Sequence, residues 1–145
     1  MNLERIESKI ITIRGQKAIL DNHVAELYGV ETKRINEAVS NNPEKFPTGY
    51  ILSLTTEEWS NLKSKISTSS WGGKHKLPNA FSERGLYMIA TILKGKKATE
   101  TTLEIIETFA KVKELERTIV EIGQQPDKEV QKNMLRRTGE IMTIK

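Results

Sequence analysis

Side chains able to read or grip a nucleic acid are concentrated between Thr32 and Ser40. A guanidinium pairs with guanine and a carboxamide with adenine through two hydrogen bonds each, which suits Arg34 and Asn36 to base edges. Thr32, Lys33, Glu37 and Ser40 complete the set of candidate base and phosphate contacts. A second group lies in Ser67 to Asn79, STSSWGGKHKLPN, a segment rich in Ser, Gly and Lys without helical periodicity. As a wing, it would carry Lys74 and Lys76 to phosphates and let Trp71 or His75 stack or insert at a groove edge. Gly72 and Gly73 would let the backbone come close. A solvated loop with Trp71 folded back onto the core is the competing arrangement. Arg14, at a predicted hairpin turn, is a further DNA-contact candidate.

These side chains need elements to hold them. Leu20 to Asn42, LDNHVAELYGVETKRINEAVSNN, reads as two short helices with a tight turn. Asn22 is placed to cap the first helix, and Val24, Ala25 and Leu27 give it an apolar face. Gly29 stands where that helix must stop, because glycine takes the left-handed C-terminal conformation at least cost. Val30 is expected as the buried plug of the turn, and Thr32 as the cap of the second helix. Ile35, Ala38 and Val39 recur at helical spacing and point inward, which leaves the polar set above on the outer surface. Asn41, Asn42 and Pro43 end the helix. Two helices joined by a short glycine-containing turn are the helix-turn-helix pattern, whose second helix enters the major groove. A pair of surface helices in any small domain would show the same periodicity.

The remainder of the chain supplies a scaffold. Ile10 to Ile13 are strand formers, Arg14, Gly15 and Gln16 make a turn, and Ala18 to Leu20 return as a hairpin. Phe46 to Gly49 is a turn cluster, followed by a strand over Tyr50 to Leu54 with Tyr50, Leu52 and Leu54 on one face. Thr55 or Thr56 caps a helix whose first turn carries Glu57 and Glu58, favourable for the helix dipole, and whose buried stripe is Trp59, Leu62 and Ile66. Ser82 is an N-cap for a core helix bearing Leu86, Met88, Ile89, Ile92 and Leu93, in which Gly85 implies close packing or a later start. After a basic connector, Lys94 to Lys97, a long helix spans Ala98 to Ile122, with an expected i,i+4 pair between Glu107 and Lys111. Its apolar stripe exceeds what one small core can cover, making it a candidate homodimerisation helix, with docking along its own domain as the alternative. Asp127 caps a last helix with a weak apolar face of Val130, Met134 and Leu135, which Gly139 weakens further.

Composition restricts the function classes. The chain has 145 residues, 37% hydrophobic and 29% charged, as expected for one small globular domain with a helical appendage. It lacks cysteine, which excludes disulfides and thiolate metal sites. No apolar run reaches the roughly 18 residues of a membrane span, and MNLERIESKIITIRG has no signal-peptide core, so the expected location is cytoplasmic. A net charge of +4 is mild, but Leu62 to Lys97 contains eight Lys or Arg against the single acid Glu83. Catalysis is not expected. His23 and His75 are the only histidines, with His23 read as a helix-surface residue, and neither has neighbours at metal-ligand spacing. Gly72-Gly73-Lys74 lacks the flanking residues of a P-loop, and the adjacent Glu57 and Glu58 diverge by about 100° on a helix, so they cannot face each other as an acid/base pair. No catalytic residue, cofactor, metal or small-molecule substrate is assigned.

The chain resembles the ORF6N domain of phage and bacterial mobile-element proteins, which is related to the KilA-N DNA-binding domains. The residues carrying the resemblance are Ile13-Arg14-Gly15, Leu20-Asp21, Ala25 to Lys33, Ile35-Asn36, Ala38-Val39, Asn41, Phe46-Pro47, Leu54-Thr55, Glu57-Glu58-Trp59, Pro78 and Ala80 to Gly85. They come in the family's order and spacing over roughly Ile6 to Leu115. Asn22-His23, Ser82 and Asn41-Asn42 depart from the common pattern, the last removing one expected phosphate contact. The resemblance implies a double-stranded-DNA-binding module of a transcriptional regulator or antirepressor, often joined to a separate C-terminal domain, and a large one is not expected within this sequence. The expected fold is α+β: a small, mostly helical domain with an N-terminal hairpin, a helix-turn-helix-like unit, a wing-like loop and a long C-terminal helix. The expected division is a DNA-binding domain over 1–97, the long helix over 98–122 and a tail over 123–145. A protein-interaction module that binds a repressor or host protein is the alternative.

Overall fold

A computed structural model describes residues 3–63, 77–124 and 127–143. The wing candidates Trp71, Lys74, His75 and Lys76, and Ile66 of the expected helix stripe, lie outside the described residues. The chain divides into two compact units, Ser8–Thr102 and a second formed by Met1–Glu7 with Leu103–Lys145. The fold is mixed α and β, as expected.

The first unit is built on a four-stranded antiparallel sheet. β1 (Ile10–Ile13) and β2 (Gln16–Leu20) form the expected hairpin, with Ile13 opposite Gln16. Gln16 therefore belongs to the strand, and the turn is only Arg14-Gly15. Their φ values of 50° and 78° are both positive, the geometry of a type I′ turn, whose twist matches that of the strands it joins. β3 (Ile51–Ser53) and β4 (Asn79–Ser82) complete the sheet in the order β1-β2-β4-β3. β4 was not expected from sequence. It is the internal strand that joins the hairpin to β3, pairing Ile19 with Phe81 on one side and Leu52 with Ala80 on the other.

Alternation along these strands buries both faces. Ile13, Ala18, Leu20, Leu52 and Ala80 cluster with Leu54 and with Trp59 of helix α4 (Thr56–Lys63). Ile19 and Phe81, fully buried, point the other way, and Phe46 meets Phe81 edge to face at 6.3 Å between ring centroids. Helices α2 (Asp21–Tyr28), α3 (Thr32–Ser40) and α5 (Glu83–Ala90) bury Val24, Leu27, Ile35, Leu86 and Ile89. α4 opens with a capping box: Thr55 Oγ1 accepts the Glu58 amide at 3.1 Å, and a Glu58 carboxylate oxygen accepts the Thr55 amide at 2.9 Å. α5 is capped by Ser82, whose Oγ accepts the Gly85 amide at 3.4 Å. Gly85 has no room for a side chain, because a β-carbon there would overlap the carbonyl oxygen of Tyr50.

Helix α6 runs continuously over Lys96–Gln124, so Lys96 and Lys97 belong to it and not to a connector. Its first turns lie in the first unit. There Thr101 donates to the Leu27 carbonyl at 3.2 Å, and the Thr102 hydroxyl meets the Tyr28 phenol at 2.7 Å. In the second unit, α1 (Glu4–Glu7) is tied to α6 by Arg5–Glu104 at 3.5 Å and Lys111–Glu7 at 3.2 Å. Lys111 thus takes Glu7 in place of the expected Glu107, since its nearly buried ammonium turns inward while Glu107 is exposed. Ile105, Phe109 and Ile122 are buried, whereas Leu103, Ile106, Ile119 and Val120 are exposed. Helix α7 (Lys128–Thr143) is capped by Asp127, as expected, through bonds from the Glu129 and Val130 amides at 2.9 and 3.2 Å.

Candidate nucleic-acid interface

The α2–α3 pair is set by its turn. Gly29 takes φ 69° and ψ 35°, its amide bonds to the Glu26 carbonyl at 3.2 Å, and the Val30 amide reaches back to Ala25 at 2.9 Å. This is a Schellman arrangement, which satisfies the last carbonyls of α2 and turns the chain sharply into α3. The expected caps differ. α2 begins at Asp21 with Leu20 as its cap residue, and α3 begins at Thr32 with Glu31 as its cap residue, neither with a side-chain cap bond. Asn22 and Thr32 therefore lie inside the helices. Strand β2 runs directly into α2, and an extended Glu31 runs into α3, so each helix starts one or two residues earlier than a polar cap would place it. Val30, expected as a buried plug, is only half-buried, as is Val39.

Helix α3 presents one outer face. Lys33, Arg34, Glu37 and Ser40 are exposed, Thr32 and Asn36 half-buried, and Ile35 and Ala38 fully buried beneath them. Lys33 approaches Glu37 at 3.9 Å, a loose i,i+4 pair. Ser40 donates to the Asn36 carbonyl at 2.8 Å. Among the described residues, the Arg34 guanidinium has no ion pair or side-chain hydrogen bond. Asn36 donates one amide hydrogen to the buried Asp21 carboxylate at 3.4 Å. A carboxamide has two donor hydrogens and an acceptor oxygen, so this bond orients Asn36 while leaving the donor and acceptor that an adenine contact requires. Lys33 and Arg34 stand in the first turn of α3, where the helix dipole disfavours cations by about 0.3–1 kcal/mol each; an anion beyond that end would relieve it.

Arg14 belongs to a different network. Its guanidinium grips both carboxylate oxygens of Glu58, at 3.0 and 3.2 Å, and donates to the Ser53 carbonyl at 2.7 Å. It locks the hairpin turn to β3 and to the start of α4, and together with the Thr55 amide it holds the Glu58 carboxyl below its ordinary range. His23 is half-buried, and burial, reinforced by the nearby Lys9 charge, pushes its pKa down against the opposing pull of Glu26. It is neutral at pH 7.

Two features of the site were not legible in the sequence. Asp21 reads as an ordinary first-turn acid, yet it is the group that orients Asn36. Lys97 lies far along the chain, yet a β-carbon on Gly29 would sit 3.7 Å from its Cε, so its stem runs beside the α2–α3 turn.

Charge is divided unequally between the units. Ser8–Thr102 contains 14 Lys or Arg and nine acids, whereas the rest of the chain contains nine and ten. The positive surplus therefore belongs entirely to the unit that carries α3. Among the described residues no group of three His, Asp or Glu side chains converges as a metal site, and no helix is long and apolar enough to cross a membrane.

No curated protein and no solved structure matches the chain. The family model of the ORF6N domain matches residues 8–92, more than half the sequence and most of the unit described above. The chain belongs to the ORF6N domain family.

Proposed function

We propose that the protein binds double-stranded DNA through α3 and acts as a transcriptional regulator or antirepressor of phage or mobile-element type, without catalysis, cofactor or metal. The observation that carries this reading is the outer face of α3, where Arg34, without a partner among the described residues, and an Asn36 oriented by Asp21 project from an apolar-backed helix. The concentration of net charge in the same unit, and its family membership, support it. Arg14 contributes first through the turn it fixes: Glu58 and the Ser53 carbonyl take its Nε–H and Nη2–H donors, which leaves its two Nη1–H groups for a phosphate. Binding to a mixed-sequence duplex, titrated with salt, is the test. Affinity should fall steeply, with a log–log slope of about −0.9 per phosphate contact. No detectable binding at low salt would remove the reading.

A second reading has its own observation: Leu103, Ile106, Ile119 and Val120 are 40–57% exposed on α6. This surface supports homodimerisation through the 98–122 segment, or capture of a repressor or host protein in place of DNA.

A further inference from the structure

We propose that Lys45, Lys94 and Lys97 form a phosphate clamp at the two ends of α3, an inference that rests on the DNA-binding reading. Lys45 follows α3 on a single 3-10 turn, Pro43–Lys45, and its ammonium donates to Thr91 Oγ1 at 3.0 Å. Lys94 donates to the carbonyl oxygen of the same Thr91 at 3.3 Å. Two ammonium groups are thus gathered on one exposed threonine at the end of α5, and among the described residues neither has a carboxylate partner. Like charges brought together without a counter-ion repel, and an anion seated between them would reverse the sign of that interaction. Lys97 lies at the other end of α3, with its stem against Gly29 in the turn that precedes the helix. Its position is fixed by the bonds that join the start of α6 to the end of α2, Thr101 to Leu27 and Thr102 to Tyr28.

Helix α3 has nine residues, which at 1.5 Å per residue is about 13 Å, close to the roughly 12 Å width of the major groove. A helix of that length in the groove has phosphate rows near both ends. Lys97 at the N-terminal end and Lys45 with Lys94 beyond the C-terminal end are the cations available to meet them. The α5–α6 junction would then act as the frame that sets α3 in register, through contacts that carry no base information.

The experiment is equilibrium binding of the full chain to a selected duplex and to a scrambled duplex over a range of salt, for Lys45→Gln, Lys94→Gln, Lys97→Gln and the triple variant. Lys128→Gln, exposed on α7, serves as the charge-matched control. Each clamp variant should weaken binding to both duplexes by the same factor and flatten the log–log salt slope by about 0.9, while the control leaves the slope unchanged. Circular dichroism of each variant confirms that the fold is kept. An unaltered slope in the triple variant, with wild-type binding intact, would overturn the clamp and leave the DNA reading standing. Failure of the wild-type chain to bind either duplex at low salt would overturn both.

Discussion

At the scale of single residues, the same side-chain types do different work according to what they face. Arg14 and Arg34 are both exposed arginines, yet Arg14 has Glu58 and the Ser53 carbonyl within reach while Arg34 projects from α3 with neither. Arg34→Ala should therefore relax sequence preference, at a cost of roughly 1–3 kcal/mol on the preferred duplex, as expected for loss of a bidentate base contact. An unchanged selected-site profile would count against base reading by α3. Asn36→Ala removes the carboxamide outright, and Asp21→Asn, which keeps the carboxamide but removes the charged acceptor that orients it, should shift the profile in the same direction by less. His23 gives a pH prediction. Its folded pKa is depressed from the ordinary 6.5, so the unfolded chain takes up the proton more readily. The stability contributed by neutral His23 is complete above pH 6.5 and is lost as pH falls through the lower folded value. Urea unfolding between pH 7.5 and pH 5 should show a steeper loss for the wild type than for His23→Gln; parallel curves would contradict the assignment.

At the scale of elements, turns and caps decide where each helix begins and how close it can come. Gly85 is the tightest case. Since its β-carbon would overlap a backbone carbonyl and not a flexible side chain, Gly85→Ala should destabilise the chain by about 3 kcal/mol, the upper part of the range for overpacking. A change below about 1 kcal/mol in chemical denaturation would show that the Tyr50 loop yields. Several of these details could be read from residue order alone. The threonine cap at Thr55 or Thr56, which the structure resolves to Thr55, the Asp127 cap and the glycine stop at Gly29 are local patterns with local physics, and each recurs in the structure. β4 could not be read this way. Asn79–Ser82 is only four residues long, and its strand character comes from pairing with β2 and β3, which are distant in sequence. The cap residues of α2 and α3 were displaced for a related reason: the preceding backbone, and not a polar side chain, sets the entry into each helix.

For the whole molecule, the question is what the second unit does with its exposed apolar surface. Ile119 and Val120 are each 57% exposed on α6, and Val130 and Leu135 on α7 are 41% and 55% exposed. If the 98–122 segment mediates a homodimer, light scattering of the full chain should give twice the monomer mass, and Ile119→Lys with Val120→Lys should return it to one. A wild-type chain that stays monomeric at all accessible concentrations would remove α6 from that role. The sequence by itself determined the hairpin, the α2–α3 pair with its buried Ile35 and Ala38, the long helix and the family, because periodicity, turn residues and motif order are properties of neighbouring positions. Only the tertiary structure decided that Arg14 is held by Glu58, that Asp21 orients Asn36, and that Lys97 stands beside Gly29. Those are contacts between residues remote in the chain, made when the sheet and the helix ends close on one another, and no local spacing encodes them.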